Sequence, residues 1–369
     1  MNIKSVNRLA IIVVCLVFCL IFVGGLVTSW QAGMAVPDWP LSFGSLNPDG
    51  WWGKFEVRLE HGHRIYAAFV GLWVGILCSA IWGNWRALGV AAGVSVVASF
   101  LGRKLGAEPW LLAHLGVWPA AVAFLSVLRR WQSSPPEIAS LERRLAVSAF
   151  ILVCLQATLG GLRVTRETAG FIDIAIVLRV LHGCVAQAFL VVLVALAVRT
   201  GLLASQTAAT KSSLPSRYRK FAWIALVAVY AQLIVGASMR HLGAGLAIPS
   251  FPAASPDGGW MPMVHNLPTD LNFLHTRMGA LIVTVCVLFS AILLINNASS
   301  SRTLRNAGIR SLVLVVVQVS LGILVIWHLK PPTLATLHVL VGAMLLANLA
   351  ATLVHVLNSE EPGRLGGKQ

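Results

Sequence analysis

The chain has 369 residues, of which 57% are hydrophobic and only 11% charged, with a mean hydropathy of +0.80. A soluble domain must cover its surface with charge, so this composition excludes one, and apolar runs reaching the roughly 20 residues that cross a bilayer place the chain among membrane lipid. The formal charge of +15 does not mark a nucleic-acid partner, because the basic residues fall in short runs between apolar segments: Arg129-Arg130, Arg143-Arg144, Lys211 to Lys220, and Arg302, Arg305 and Arg310.

Ten membrane helices are predicted in chain order: 9–29, 61–83, 87–102, 110–128, 145–164, 173–198, 221–240, 272–296, 311–328 and 334–357. The first follows Lys4 and Arg8 and reads as a retained span rather than a signal peptide, because a matching segment recurs later. The third is the weakest, being the shortest. The basic bias places both termini on the inner side. Two long outer loops, 30–60 and 241–271, are rich in Pro, Gly and Trp, as in structured caps at the interface. The six cysteines all lie in apolar runs, where they act as small hydrophobes rather than as disulfide partners.

An internal repeat organises the chain. Residues Ala32 to Pro40 match Ala244 to Pro252 at an offset of 212, which Val23-Gly24 and Val235-Gly236 share, as do His63 and His275. Gln156-x-x-Leu159-Gly160 then matches Gln318-x-x-Leu321-Gly322 at 162, and Leu181-His182 matches Leu337-His338 at 156. The fall of 50 between 212 and 162 means that the first half holds an inserted pair of helices, about 84–135. A pair preserves the orientation of everything after it. The fold expected is therefore an all-α integral membrane protein of two pseudo-symmetric four-helix bundles in parallel repeat, with two helices added. Its parts would be 1–83 with 136–200, the insertion 84–135, an inner linker 201–220, the second bundle 221–357 and an inner tail 358–369.

Of the ten histidines, four are singled out because they recur at equivalent places: His63 with His275, and His182 with His338. Each enters its helix from the outer face. Two such helices in one bundle can oppose imidazoles at similar depth, which is what bis-histidine haem ligation needs. Arg64, Arg277 and Arg179 lie close by, either snorkelling to the interface or paired with haem propionates. Glu60 precedes His63 by one helical turn and shares its face, whereas its counterpart in the second half is Asn272. A carboxylate beside one haem and an amide beside the other implies chemistry in the first half and electron storage in the second. His61 points off the ligand face, and His114 in the insertion reads as an interfacial residue.

With Gly24-Gly25-Leu26-Val27-Thr28, Pro37-Asp38-Trp39-Pro40-Leu41 and Glu60-x-x-His63-Arg64, the chain resembles the haem A synthase family over nearly its whole length apart from 84–135. The resemblance implies oxidation of the C8 methyl of haem O to the formyl group of haem A by successive hydroxylations. His63 and His182 would hold the substrate haem O, His275 and His338 a resident haem b that passes electrons. Glu60 would act near the methyl group as proton acceptor or cation stabiliser. It also implies residence in a bacterial plasma (inner) membrane with both termini cytoplasmic and the haem sites toward the outer face. The expected partners are a haem O synthase and terminal-oxidase assembly factors, and a homo-oligomer is left open. The outer loops lack the cysteine pairs that some members carry. Where the family reads His-Arg, this chain has His275-Thr276-Arg277, so alignment on Arg277 puts His275 one residue out of register.

Two other readings are set against this one. A two-haem b electron carrier would need haems near opposite faces, whereas the four histidines gather toward one. A haem transporter or assembly protein leaves the Glu60/Asn272 difference unexplained.

Overall fold

The computed structural model describes residues 1–104, 109–130, 133–134, 136–165, 174–205, 214–296 and 301–359. It divides into two compact units, Met1–Ala204 and Ser205–Gln369. The first contains α1 (Ile3–Ser29), α2 (Phe55–Trp82), α3 (Arg86–Lys104), α4 (Pro109–Arg130), α5 (Ser140–Thr165) and α6 (Ile174–Ala204). The second contains α7 (Ser216–His241), α8 (Leu267–Asn296), α9 (Arg302–Trp327) and α10 (Pro332–Ser359). Among the described residues there is no β-strand. In hydrocarbon every backbone N–H and C=O must be satisfied within its own segment, and the helix does this.

Among the described residues eight helices are long and apolar enough to cross a membrane. The inserted pair, α3 and α4, each lie partly outside the described residues in their side chains and are not among the eight; α4 carries Pro119 inside it. The two pack chiefly on one another, with α4 also against α5. The insertion is fastened at its base: Ser133 donates from its N–H to the Trp82 carbonyl (3.1 Å) and from its hydroxyl to Gly83 (2.7 Å). Gly83 ends α2 at φ +66°, a left-handed conformation in which an added Cβ would collide with Ser133. The side chain of His114 lies outside the described residues, as do the middle of the 201–220 linker and nearly all of the tail.

In the first unit α2 and α6 each pack on both α1 and α5. In the second, α8 and α10 each pack on both α7 and α9. The helices that bear the paired histidines thus stand at opposite corners of a closed ring of four.

The loops read from sequence as 30–60 and 241–271 are shorter in the structure. Helix α2 begins at Phe55 and α8 at Leu267, where the Asn266 side chain caps the Thr269 N–H (3.0 Å) and Pro268 occupies the first turn. Glu60 therefore lies in the second turn of α2, beyond the first N–H groups that a capping carboxylate serves. Each loop opens with a 3₁₀ turn, Ala32–Met34 and Ala244–Leu246, and each carries a cis proline, Pro40 and Pro252.

Candidate functional site

The four histidines share one packing device. Each imidazole lies against a glycine of the neighbouring helix: His63 on Gly24, His182 on Gly160, His275 on Gly236 and His338 on Gly322. A Cβ at Gly24 or Gly322 would sit 3.1 Å from the facing Cε1, and one at Gly160 would sit 3.4 Å away. At Gly236 it would overlap the His275 ring, lying 2.9 Å from Nδ1. Glycine is needed here because an imidazole takes the space of a side chain.

A glutamine supports each of three histidines. Gln156 donates to the His182 carbonyl (3.0 Å) and Gln232 to the His275 carbonyl (2.6 Å). Gln318 lies instead 3.2 Å from the His338 imidazole Nε2. The Nδ1 atoms of His63, His275 and His338 are buried without a hydrogen bond.

The rings of His275 and His338 stand with centroids 6.2 Å apart and planes at 82°. Two imidazoles that ligate one metal from opposite sides, each at about 2 Å, place their ring centres about 6 Å apart. Among the described residues no three His, Cys, Asp or Glu side chains come together, so the cluster a zinc site requires is not found. A haem brings its own equatorial nitrogens and needs only an axial pair. The donor set of the second unit fits a haem.

The arginines do work that the sequence does not reveal. Arg64 donates from Nη1 to the carbonyls of Asp38 (2.5 Å) and Leu41 (3.0 Å), from Nη2 to Val36 (2.9 Å), and from Nε to Glu60 (3.1 Å). Arg277 uses Nη2 on Ser250 (2.6 Å) and Ala253 (2.7 Å), which match Asp38 and Leu41 at the loop offset, and Nε on Pro252 (3.1 Å). Each arginine clamps its unit's loop to the helix that carries the leading histidine. Arg179 donates to Ala175 in its own helix (3.0 Å).

The extra residue of the second unit is absorbed by a π turn at Leu274–Met278. A single insertion into an α-helix is accommodated this way, with faces above and below kept. His275 consequently meets Gly236 as His63 meets Gly24, and Arg277 meets its loop as Arg64 does. Thr276, the added residue, bonds the Asn272 carbonyl (2.8 Å) and receives Arg277 Nη1 (2.7 Å).

Glu60 is 2% exposed. Its second oxygen faces Arg163 Nη2, from the last turn of α5, at 3.4 Å. That same nitrogen lies 3.4 Å from the Gly33 carbonyl. Sequence reasoning missed Arg163, although it was marked: the repeat places apolar Val325 at its counterpart. It also passed over Arg240, one turn beyond Gly236 and on the same face of α7, where the first unit has Thr28. Asn272 is fully buried and donates to the Ala244 carbonyl (2.9 Å). His61 is buried under the loop, with Nδ1 2.8 Å from the Ser42 hydroxyl and its ring edge-on to Trp51.

The profile of the cytochrome oxidase assembly protein family matches residues 7–350. The chain belongs to that family. It is similar to the haem A synthase of Shouchella clausii, 25% identical over 93% of this chain and 94% of the relative. It is likewise similar to that of Bradyrhizobium sp. strain BTAi1, 26% identical over 88% and 83%. The match to the Staphylococcus saprophyticus haem A synthase is closer, at 32% identity, but spans 39% of this chain and just under half, 46%, of the relative.

Proposed function

We propose that the protein is a haem A synthase, an oxidoreductase that converts the C8 methyl of haem O to the formyl group of haem A. The observation that carries this reading is the contrast between Glu60 and Asn272 on otherwise matching scaffolds. Both units set a histidine against a glycine and clamp an outer loop with an arginine, yet only the first places a carboxylate one turn from its leading histidine. The family and the relatives named haem A synthase support the same assignment.

In this reading the units are pseudo-symmetric four-helix bundles, one for the substrate and one for the cofactor. His63 and His182 hold haem O in the first; His275 and His338 hold haem b in the second. Bound between His275 and His338, haem b would supply a one-electron redox centre. Glu60 presents a fixed carboxylate toward positive charge or a proton released at that carbon, in a site from which the clamped loop excludes water. Arg64, Arg277 and Arg179 add positive potential for haem propionates. The protein sits in a bacterial plasma membrane with both termini cytoplasmic and the haem sites toward the outer face. It takes haem O from a haem O synthase and serves the assembly of terminal oxidases.

The test is pigment extraction from cells that co-express this chain with a haem O synthase. Haem A is expected, and Glu60→Ala is expected to abolish it. Recovery of haem O and haem B alone from the wild type sinks the reading.

A further inference from the structure

The repeat separates what both units need from what only the first contains. The shared parts are the histidines, the glycines behind them and the loop-clamping arginines. Charged residues of the first unit with uncharged counterparts in the second include Glu60, which matches Asn272, Arg163, which matches Val325, and Arg179, which matches Ala335. Glu60 and Arg163 are in contact, one on α2 and the other on α5, so an ion pair in one unit corresponds to an amide and a valine in the other.

We infer that Arg163 is a positioning residue for Glu60, specific to the substrate unit. Glu60 is held from two directions. Arg64, four residues on in the same helix, meets one oxygen, and Arg163, from the neighbouring helix, meets the other. The helical partner alone leaves the side chain free to rotate about its own helix axis. A second cation from α5 fixes both oxygens at once. Arg163 also reaches the Gly33 carbonyl, where an added Cβ would lie 2.9 Å from its Nη2, so the contact leaves no room for a side chain. Arg163 thus joins the carboxylate, α5 and the start of the outer loop. A buried Arg163 without Glu60 would lose its carboxylate partner, which accords with the second unit having neither.

This inference rests on the first unit being the substrate site, and its tests separate the two claims. In cells making haem O, Arg163→Val, which installs the second unit's residue, is expected to lower haem A about tenfold or more and to raise the fraction of product stopped at the alcohol, since small misplacements of a reacting group are costly. The haem b content should stay within about twofold. Arg163→Lys should restore much of the activity. Glu60→Asn with Arg163→Val should be no worse than Glu60→Asn alone, because the pair acts as one unit. Wild-type haem A yield and product ratio in Arg163→Val, or additive losses in the double variant, overturn the inference. An infrared measurement decides it independently of activity. The Glu60 carboxylate stretch, assigned by its absence in Glu60→Gln, should shift in Arg163→Val and return toward its place in Arg163→Lys. An unmoved band overturns the inference even if the wild type proves inactive on haem O.

Discussion

Arg277 grips the loop carbonyls of Ser250 and Ala253 as Arg64 grips those of Asp38 and Leu41, although the chain between histidine and arginine is one residue longer in the second unit. The π turn at Leu274–Met278 takes up the difference. Removing Thr276 should therefore give the first unit's arrangement, with an unbroken α-helix and adjacent histidine and arginine. The expected outcome is a retained low-spin haem b spectrum. A second residue inserted after Thr276 should abolish that spectrum, because each added residue turns the helix about 100° once the π turn is filled.

The glycines behind the histidines predict a graded series. Gly236→Ala overlaps the His275 ring, Gly322→Ala crowds His338 at 3.1 Å, and Gly160→Ala makes an ordinary contact at 3.4 Å. Overpacking costs about 1–3 kcal/mol, so Gly236→Ala should lose most bound haem b and Gly322→Ala less. Gly160→Ala, which faces His182 in the first unit, should match the wild type in haem A formation. Haem b per protein, read from absorbance of the purified chain, checks the order of Gly236→Ala and Gly322→Ala.

His338→Ala should remove the low-spin spectrum of haem b, whereas His182→Ala should leave it and abolish haem A formation instead. An unchanged spectrum in His338→Ala would overturn the cofactor assignment.

Away from the four recurring histidines, Glu142 is fully buried and receives Arg199 Nε at 2.9 Å. Its other oxygen accepts the Ala139 N–H (3.1 Å) at the start of α5. Glu142→Ala removes this ion pair and opens the cap, at a cost of about 3 kcal/mol. Thermal unfolding in detergent should show a lower midpoint, with haem A formed per folded molecule unchanged.

Much of the site was legible because duplication prints the same residue twice. His63 and His275, and His182 and His338, declare themselves by matching, and the structure sets each of them against a glycine. Residues that differ between the copies were read in only one case, Glu60 against Asn272. Arg163 against Val325 carried the same kind of signal on another helix, but its partner could not be known until α5 was placed beside α2. The acceptors of Arg64 and Arg277 were hidden for a related reason. A guanidinium suits a carboxylate and a loop carbonyl alike, and only the folded path of the loop decides between them. The start of α8 was misread because the Asn266 cap and Pro268 in the first turn outweigh the polar residues that follow.

The insertion leaves α2 and returns at the same point, with Ser133 bonded to Trp82 and Gly83. Such a hairpin behaves as a cassette. Gain, loss or exchange of it along a lineage need not displace the helices on either side, since the chain resumes where it departed. Joining Gly83 directly to Ser133 is then a short splice in the gene, and the four recurring histidines lie outside it.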